Sequence, residues 1–309
     1  VTRDDEAYPE LLREIDDPPL CLYVRGSVGA LAACRNGISM VGSRRTTPYG
    51  VHMAEHIAMA AAYAGWPVVS GLARGIDTVV HEAVLRAGGC TVAVLGAGLG
   101  RICPQENVPL ARRMAENGGA LVSEFPMTFP PDKRTFPMRN RIISGLTQGT
   151  LVVEAGASSG SLITAAQALD QGRQVFAVPG RVDSPQSRGC HALIKDGAKL
   201  VETFDDIAEE FSRLPGMETP AGSADAAAKA QAAKGSGAQS TRSGLTLSPL
   251  EERLLAFLGE SDRSIDDVIR GVECPASEVL SALLMLEMRR LVRQLPGRRV
   301  VRSGAHNVG

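Results

Sequence analysis

The sequence predicts an α/β protein: a parallel sheet with helices on both faces, joined by a flexible linker to a small second domain. Three observations lead there. Short runs that are apolar at almost every position recur along the first two thirds of the chain, as strands buried on both faces must be. Stretches with helical spacing lie between most of them, the alternation that builds parallel sheets. Past Pro215 the large apolar residues almost vanish, returning only around Leu245.

Residues 1–35 read as an irregular lead-in with a short apolar piece at Leu20–Val24. Strands are expected at Ile38–Val41, Val68–Ser70, Thr91–Leu95, Ala120–Ser123, Thr150–Glu154 and Gln174–Val178. Helices are expected over Val51–Ala64, Thr78–Ala87, Val108–Asn117 and Leu162–Gln171. Residues 1–214 therefore make the first domain, and 215–248, rich in Ala, Gly, Ser, Gln and Thr, the linker. Within 249–309, Pro249–Gly259, Ser264–Gly271 and Pro275–Arg290 have helical periodicity, and Leu291–Leu295 and Arg298–Arg302 flank Pro296-Gly297 as a hairpin. Three helices and a hairpin resemble a winged helix. Pro275–Arg290 occupies the recognition-helix position, yet before Arg289 its only charges are Glu278 and Glu287. A helix that reads a groove should be basic along its exposed face. This one is expected to pack against protein or modulate the main domain, leaving a basic wing of Arg293, Arg298, Arg299 and Arg302.

Composition narrows the class. With 309 residues, 44% hydrophobic and 22% charged, the chain fits a soluble globular protein of one large and one smaller domain. No apolar run approaches the roughly 20 residues of a membrane span, and the amino terminus lacks the features of a signal peptide. A cytoplasmic location without membrane contact is expected. The chain opens on Val1 rather than Met, from which a missing upstream segment is expected. Six scattered cysteines with no Cys-x-x-Cys suit reduced thiols and neither a zinc site nor a disulfide frame. A net charge of −1 offers no global attraction to a polyanion, so any such partner must be held by local charge.

Local charge is present. In parallel sheets ligands bind beyond the carboxyl ends of the strands, in the loops that follow them. Those loops read Gly42-Ser43-Arg44-Arg45, then Gly71-Leu-Ala-Arg74-Gly75, then Gly96-Ala-Gly98-Leu-Gly100-Arg101. After the fifth strand comes Gly156-Ala-Ser-Ser159-Gly160-Ser161, and after the sixth Gly180-Arg181. The fourth strand is followed by a basic stretch, Lys133–Gly145, read as a loop that carries Lys133, Arg134, Arg139 and Arg141. No acid occurs between Asp132 and Glu154, which weakens the plainer reading of a solvated loop paired with acids from elsewhere. Arginine forks two residues apart suit phosphate oxygens. Glycines admit an anion to backbone N–H groups, so the converging loops are expected to form an anion-binding edge. Phe129 and Phe136 flank the basic stretch, where an exposed ring could stack on an unpaired base.

Other chemistries fit less well. Gly96-x-Gly-x-Gly100 is not the dinucleotide fingerprint, and Gly156–Ser161 lacks the lysine and spacing of an ATP-hydrolysing phosphate loop, so no cofactor is expected. His52-Met-Ala-Glu55-His56 matches a zinc-enzyme pattern but has no evident third ligand, and its apolar residues Met53, Ile57 and Ala60 suit an ordinary amphipathic helix. Gly156-Ala-Ser158-Ser-Gly160 matches a nucleophile elbow, with Asp183 and His191 following in hydrolase order. Ser159 and Ser161 make a hydroxyl-rich phosphate cradle the better account, and a hydrolase leaves the arginines unexplained.

Taken with Tyr8-Pro9, Val41-Gly-Ser-Arg44, Ser70-Gly-Leu-Ala-Arg-Gly-Ile-Asp77, Ser123-Glu124, Phe136-Pro-Met-Arg-Asn-Arg141, Ser159-Gly-Ser161 and Val178-Pro-Gly180, the chain resembles the DNA-processing protein A family (DprA, also called Smf) over roughly residues 8–205. The resemblance implies an extended Rossmann-like domain with a winged-helix appendage. It implies a homodimer that binds and protects incoming single-stranded DNA and loads the RecA recombinase on it during natural transformation. No catalytic activity is implied. Carried over by motif, Arg44, Lys133, Arg139 and Arg141 would hold phosphates, beside Ser43 and Arg45 of the first loop. Phe136 and Asn140 would lie near bases, and Ser159, Gly160 and Ser161 would line the same pocket. Cys103-Pro104 stands where the family usually has Tyr-Pro. The rival is an enzyme of the lysine-decarboxylase-like group that hydrolyses nucleoside monophosphates. Its Pro-Gly-Gly-x-Gly-Thr motif is absent, since Arg181 follows Val178-Pro-Gly180.

Overall fold

The computed structural model describes residues 1–212, 249–258, 263–272, 279, 283, 286, 292–295 and 299–302. They fall into two units, one within Val1–Gly235 and one within Ser236–Gly309. The linker expected at 215–248 lies outside the described residues.

The first unit is built on one eight-stranded sheet. Its strands are β1 (Tyr23–Gly26), β2 (Ile38–Val41), β3 (Val68–Ser70), β4 (Thr91–Leu95), β5 (Ala120–Ser123), β6 (Gly149–Val152), β7 (Gln174–Ala177) and β8 (Lys199–Leu200). They lie in the order β1-β5-β4-β3-β2-β6-β7-β8. All neighbours are parallel except β1, which runs antiparallel to β5. From β2 the chain therefore builds outward to β5 on one side, then returns and builds β6 to β8 on the other. The carboxyl ends of β2 and β6 flank the point where the order reverses, the usual place for a ligand crevice.

Continuous apolar runs make sense of these strands, because successive side chains feed two different cores. Ile38, Met40, Val68, Leu151, Val153 and Phe176 point to one face. There they meet α3 (Pro48–Tyr63), α4 (Ile76–Arg86) and α9 (Phe204–Ser212). Val41, Val69, Val92, Val94, Val122 and Val152 point to the other, onto α1 (Glu10–Arg13), α2 (Val28–Ala33), α6 (Thr135–Gly145), α7 (Ser161–Asp170) and α8 (Arg188–Lys195). Helix α5 (Val108–Glu116) packs Leu110 and Met114 over Ala93, Leu95 and Leu121. Trp66, the single tryptophan, is buried edge-on against Phe204 and beside Phe211, which ties α9 to the sheet.

Two expectations are corrected. The lead-in is structured: Leu12 is fully buried, Tyr8 donates its hydroxyl to Pro19 O at 2.8 Å, and β1 closes one edge of the sheet. The basic stretch read as a loop is largely helical, since Thr135–Gly145 is α6. Its start is fixed by Thr135, whose buried hydroxyl donates to Gly96 O and whose N–H donates to Asp132 O. Pro137 falls in the first turn, where its missing N–H costs no helical bond. Thr135, Arg139, Ile142 and Ile143 form the buried stripe at helical spacing.

In the second unit, helices Pro249–Leu258 and Ile265–Val272 accompany a three-stranded sheet, with Val292–Leu295 paired to Arg299–Arg302 and the latter to Arg263–Ser264. This is the expected hairpin and winged-helix pattern. Of the expected helix Pro275–Arg290, the described residues Val279, Leu283 and Leu286 are helical and buried with Leu254, Leu258, Val268, Val292 and Val300. Among the described residues no helix is long and apolar enough to cross a membrane.

Candidate functional site

A cleft of about 770 Å³ opens at the reversal point between β2 and β6. Its walls are the β2 loop, the start of α6, the β6 loop with the start of α7, and the segment leading into α8.

The β2 loop is held on every side. Ser43 N donates to Glu154 O at 2.7 Å, and Ser43 O accepts from Ile76 N at 3.1 Å. The Ser43 hydroxyl closes the turn, accepting from Arg45 N and donating to Arg45 O. Gly75 has φ +83, and a Cβ there would stand 2.3 Å from Ser43 O and 2.8 Å from Arg44 Cα, so glycine lets α4 approach this closely. The exposed Arg44 is thereby aimed across the cleft, its guanidinium carbon 5.3 Å from the centre of the Phe136 ring, within cation–π range.

From α6, Phe136, Pro137, Arg139, Asn140 and Ile143 face the cleft, a stripe with i, i+3, i+4 and i+7 spacing. Phe136 is half-buried, against Gly96. Lys133 precedes the helix and is exposed. On the opposite wall, Ser159, Gly160 and Ser161 open α7, with the two hydroxyls 2.7 Å apart. Arg188 and Gln186 complete the lining. The cleft thus joins Arg44, Arg45, Lys133, Arg139 and Arg188 to a single lining acid among the described residues, Asp77. Of these cations Arg44, Arg45, Lys133 and Arg188 are exposed and in no ion pair among the described residues.

Arg139 is different, at 3% exposure. Its Nη1 donates to Val94 O at 2.6 Å, and its Nε has no hydrogen-bond partner among the described residues. The guanidinium lies so close to Gly71 that a Cβ there would come within 2.0 Å of Nη1. Beyond Gly71 sits Asp77, which accepts from Gly71 N at 3.1 Å and Ala73 N at 3.3 Å. Burial pulls Arg139 down to about 10, opposed by the charge of Asp77. Burial raises Asp77, opposed in turn by Arg139 and the two N–H groups. Arg139 therefore forms the cleft floor and braces β3 against β4.

Arg141 does not line the cleft. Two positions along a helix differ by about 200° in direction, so Arg139 and Arg141 face opposite ways and cannot share one phosphate. Arg141 grips Glu124 with both terminal nitrogens, at 3.0 and 2.7 Å, and Asp17 with Nε at 3.0 Å. Its acids come from elsewhere in the chain, which the local absence of acids concealed.

The other loops have different roles. Gly98 N and Gly100 N donate to Phe129 O and Met127 O, so the β4 loop is packed against residues 126–129. Arg74 is paired with Glu106, and Arg181 with Asp183. Arg188 and Gln186 are lining residues that the sequence reading passed over; the signal for them is Ser184-Pro185 ahead of the amphipathic run Arg188–Lys195. Of the residues with enzyme-like patterns, Glu55 is held by Arg86 at 2.7 Å, and His191 Nε2 is 3.0 Å from Gly180 O.

Fold and cleft together define a Rossmann-like domain with a cationic crevice at its strand-order reversal, followed by a winged-helix unit. The family described as DNA recombination-mediator protein A matches residues 1–212, and the DprA winged helix domain matches residues 238–298. The chain belongs to the DNA recombination-mediator protein A family. Protein Smf of Escherichia coli (strain K12) is 40% identical over 96% of this chain and 75% of its own length. The X-ray structure of DNA processing protein A from Streptococcus pneumoniae superposes with a TM-score of 0.63 at 40% identity, covering 68% of this chain and 73% of that one. DNA processing protein A from Helicobacter pylori, whose structural study concerns its single-stranded DNA binding mode, gives a TM-score of 0.61 at 26% identity, covering 69% of this chain and 99% of that one.

Proposed function

We propose that this protein binds single-stranded DNA in the cleft between β2 and β6, protects it, and loads the RecA recombinase on it during natural transformation. In this reading it works as a homodimer in the cytoplasm and performs no chemistry on the strand. The observation that carries it is the charge of the cleft: among the described residues five cations against one buried acid, at the place where such sheets hold ligands. The H. pylori relative's single-stranded DNA binding mode supports the same reading.

Phosphates fall to Arg44, Arg45, Lys133 and Arg188, which are exposed and in no ion pair among the described residues, with the hydroxyls of Ser159 and Ser161 and the backbone of Gly160 on the opposite wall. A base fits beside Phe136 and Asn140. A recess of this size admits one strand, whereas reading a duplex needs an element that enters a groove. Arg139 and Arg141 act as braces of the site in this reading, the first under the floor and the second behind α6.

Titration of labelled oligo-dT against blunt duplex of equal length tests it. Single-strand binding should be tighter and nearly independent of base composition. Its log affinity should fall against log salt with a slope of about −2.8, four phosphates at about 0.7 each. Equal affinity for duplex, or a flat salt dependence, refutes the reading. For loading, the protein should speed RecA ATPase activity on single strands precoated with a single-strand-binding protein. No acceleration removes that part alone.

A further inference from the structure

On the β4–β5 side of the cleft lies a second aromatic surface. Phe125 and Phe129 stack with centroids 4.8 Å apart and planes 20° from parallel. Both are half-buried, and Met127 between them is 49% exposed. The segment is rigidly held. Phe125 N donates to Ser123 Oγ at 3.0 Å, Phe129 N to Pro126 O at 2.9 Å, and Gly98 N to Phe129 O at 3.0 Å. A Cβ at Gly98 would stand 2.0 Å from Pro126 O, so the two backbones are in direct contact.

The same glycine loop connects this surface to the cleft. Gly96, two residues before Gly98, lies under Phe136, with its Cβ position 2.9 Å from the ring. Two residues span at most about 7 Å, so the loop that Phe136 covers at Gly96 is in contact at Gly98 with the backbone of the Phe125–Phe129 segment. Two exposed cations adjoin the segment in the chain or through its backbone contacts, since Arg101 follows Gly100, whose N–H donates to Met127 O, and Lys133 is four residues past Phe129. Arg101 ends the glycine loop, its N–H donating to Gly98 O at 2.8 Å. Neither is in an ion pair among the described residues.

We infer that Phe125–Phe129 is a second base-stacking platform, which receives single-stranded DNA as it leaves the cleft past Phe136, with Arg101 and Lys133 on its phosphates. This rests on the cleft being a single-strand site. A ring pair whose neighbouring cations Arg101 and Lys133 are in no ion pair among the described residues, on a loop shared with a cationic cleft, suits nucleobases joined by phosphates better than an apolar protein surface.

The test uses the full chain and two lengths of oligo-dT, about six nucleotides to fill the cleft and about 20 to run past it. Phe129→Ala should leave the short oligonucleotide's affinity unchanged and weaken the long one about tenfold, or about 1.4 kcal/mol. Phe129→Tyr should restore it. No loss on the long oligonucleotide, as expected of a surface that docks protein, overturns the platform. So does an equal loss on both lengths, which would mark Phe129 as packing that supports the cleft. In Phe129→Trp, the added fluorescence should change with the long oligonucleotide and stay constant with the short one; constant emission with the long one bound overturns the proposal. Wild-type protein that binds neither length overturns the cleft reading itself, and the platform with it.

Discussion

Replacing Arg139 with alanine separates its two conceivable roles, because a phosphate ligand and a buried brace fail in different ways. The structure makes it a brace. Its removal takes the donor from Val94 O, leaving a buried carbonyl unsatisfied at a cost of about 1–3 kcal/mol. It also takes away the positive charge that offsets the burial of Asp77. Breaking such a buried arrangement from one side costs about 3–5 kcal/mol in total. For a unit of this size that is a fall in Tm of about 6–20 °C. Trp66 is the chain's single tryptophan and lies in the first unit's core, so its fluorescence in urea reports that unit alone. The deficit should also depend on pH. Without Arg139 the folded-state pKa of Asp77 rises further above 3.8. A carboxyl raised on folding stabilises below its unfolded pKa and loses that stabilisation as pH climbs, so the mutant's deficit should be largest at neutral pH and shrink toward pH 4. An Arg139→Ala protein with the wild-type urea midpoint and a shallower salt slope for oligo-dT would refute the brace and make Arg139 a phosphate ligand.

Arg44→Ala and Arg188→Ala should each leave the urea midpoint in place and reduce the salt slope for oligo-dT by about 0.7; unchanged slopes in both exclude them from the footprint. Phe136→Ala should narrow the preference for single strands over duplex by about 1–3 kcal/mol, whereas a lowered Tm with full selectivity would make the ring a core residue. His81 is fully buried, with Nδ1 2.7 Å from Thr91 Oγ1, and burial holds its pKa down at about 3. Its contribution to stability is therefore complete above about pH 6.5 and lost as pH falls toward 3, by up to about 1.4 kcal/mol per pH unit, and His81→Asn should flatten that slope in Trp66-monitored urea curves. Deleting residues 215–309 should retain single-strand affinity to within about 100-fold, near 2.7 kcal/mol; a greater loss moves the DNA site to the second unit.

The strands were the most legible part of the chain, and the reason is burial. A strand such as Thr91–Leu95 is covered on both faces, so it shows as an unbroken apolar run with no competing pattern. Helix α6 was illegible because its buried stripe includes Thr135 and Arg139, which read as surface residues until Gly96 O and Val94 O are seen as their partners. Arg141 was misleading for a related reason, since its acids lie 17 and 124 residues away in sequence. The glycines were half legible. Composition identified them as places of close approach, but at Gly71 the approaching group is Arg139 and at Gly98 it is the carbonyl of Pro126. The candidate residues of the β2 and β6 loops do share one cleft, because the strand order reverses between those strands.

That reversal has a consequence for biosynthesis. The cleft's first wall, at residues 41–45, is translated well before its last, at 185–188. At about 5–20 residues per second, the roughly 140 intervening residues occupy a ribosome for about 7–30 s. For about the first 100 of those residues β2 has β3 to pair with on one side, while its other side waits for β6 at 149–152. A nascent chain at that stage presents Arg44 and Arg45 with no opposing wall, since Ser159–Ser161 and Arg188 follow later in the chain. The two walls of the cleft thus come together only when the first unit is nearly complete.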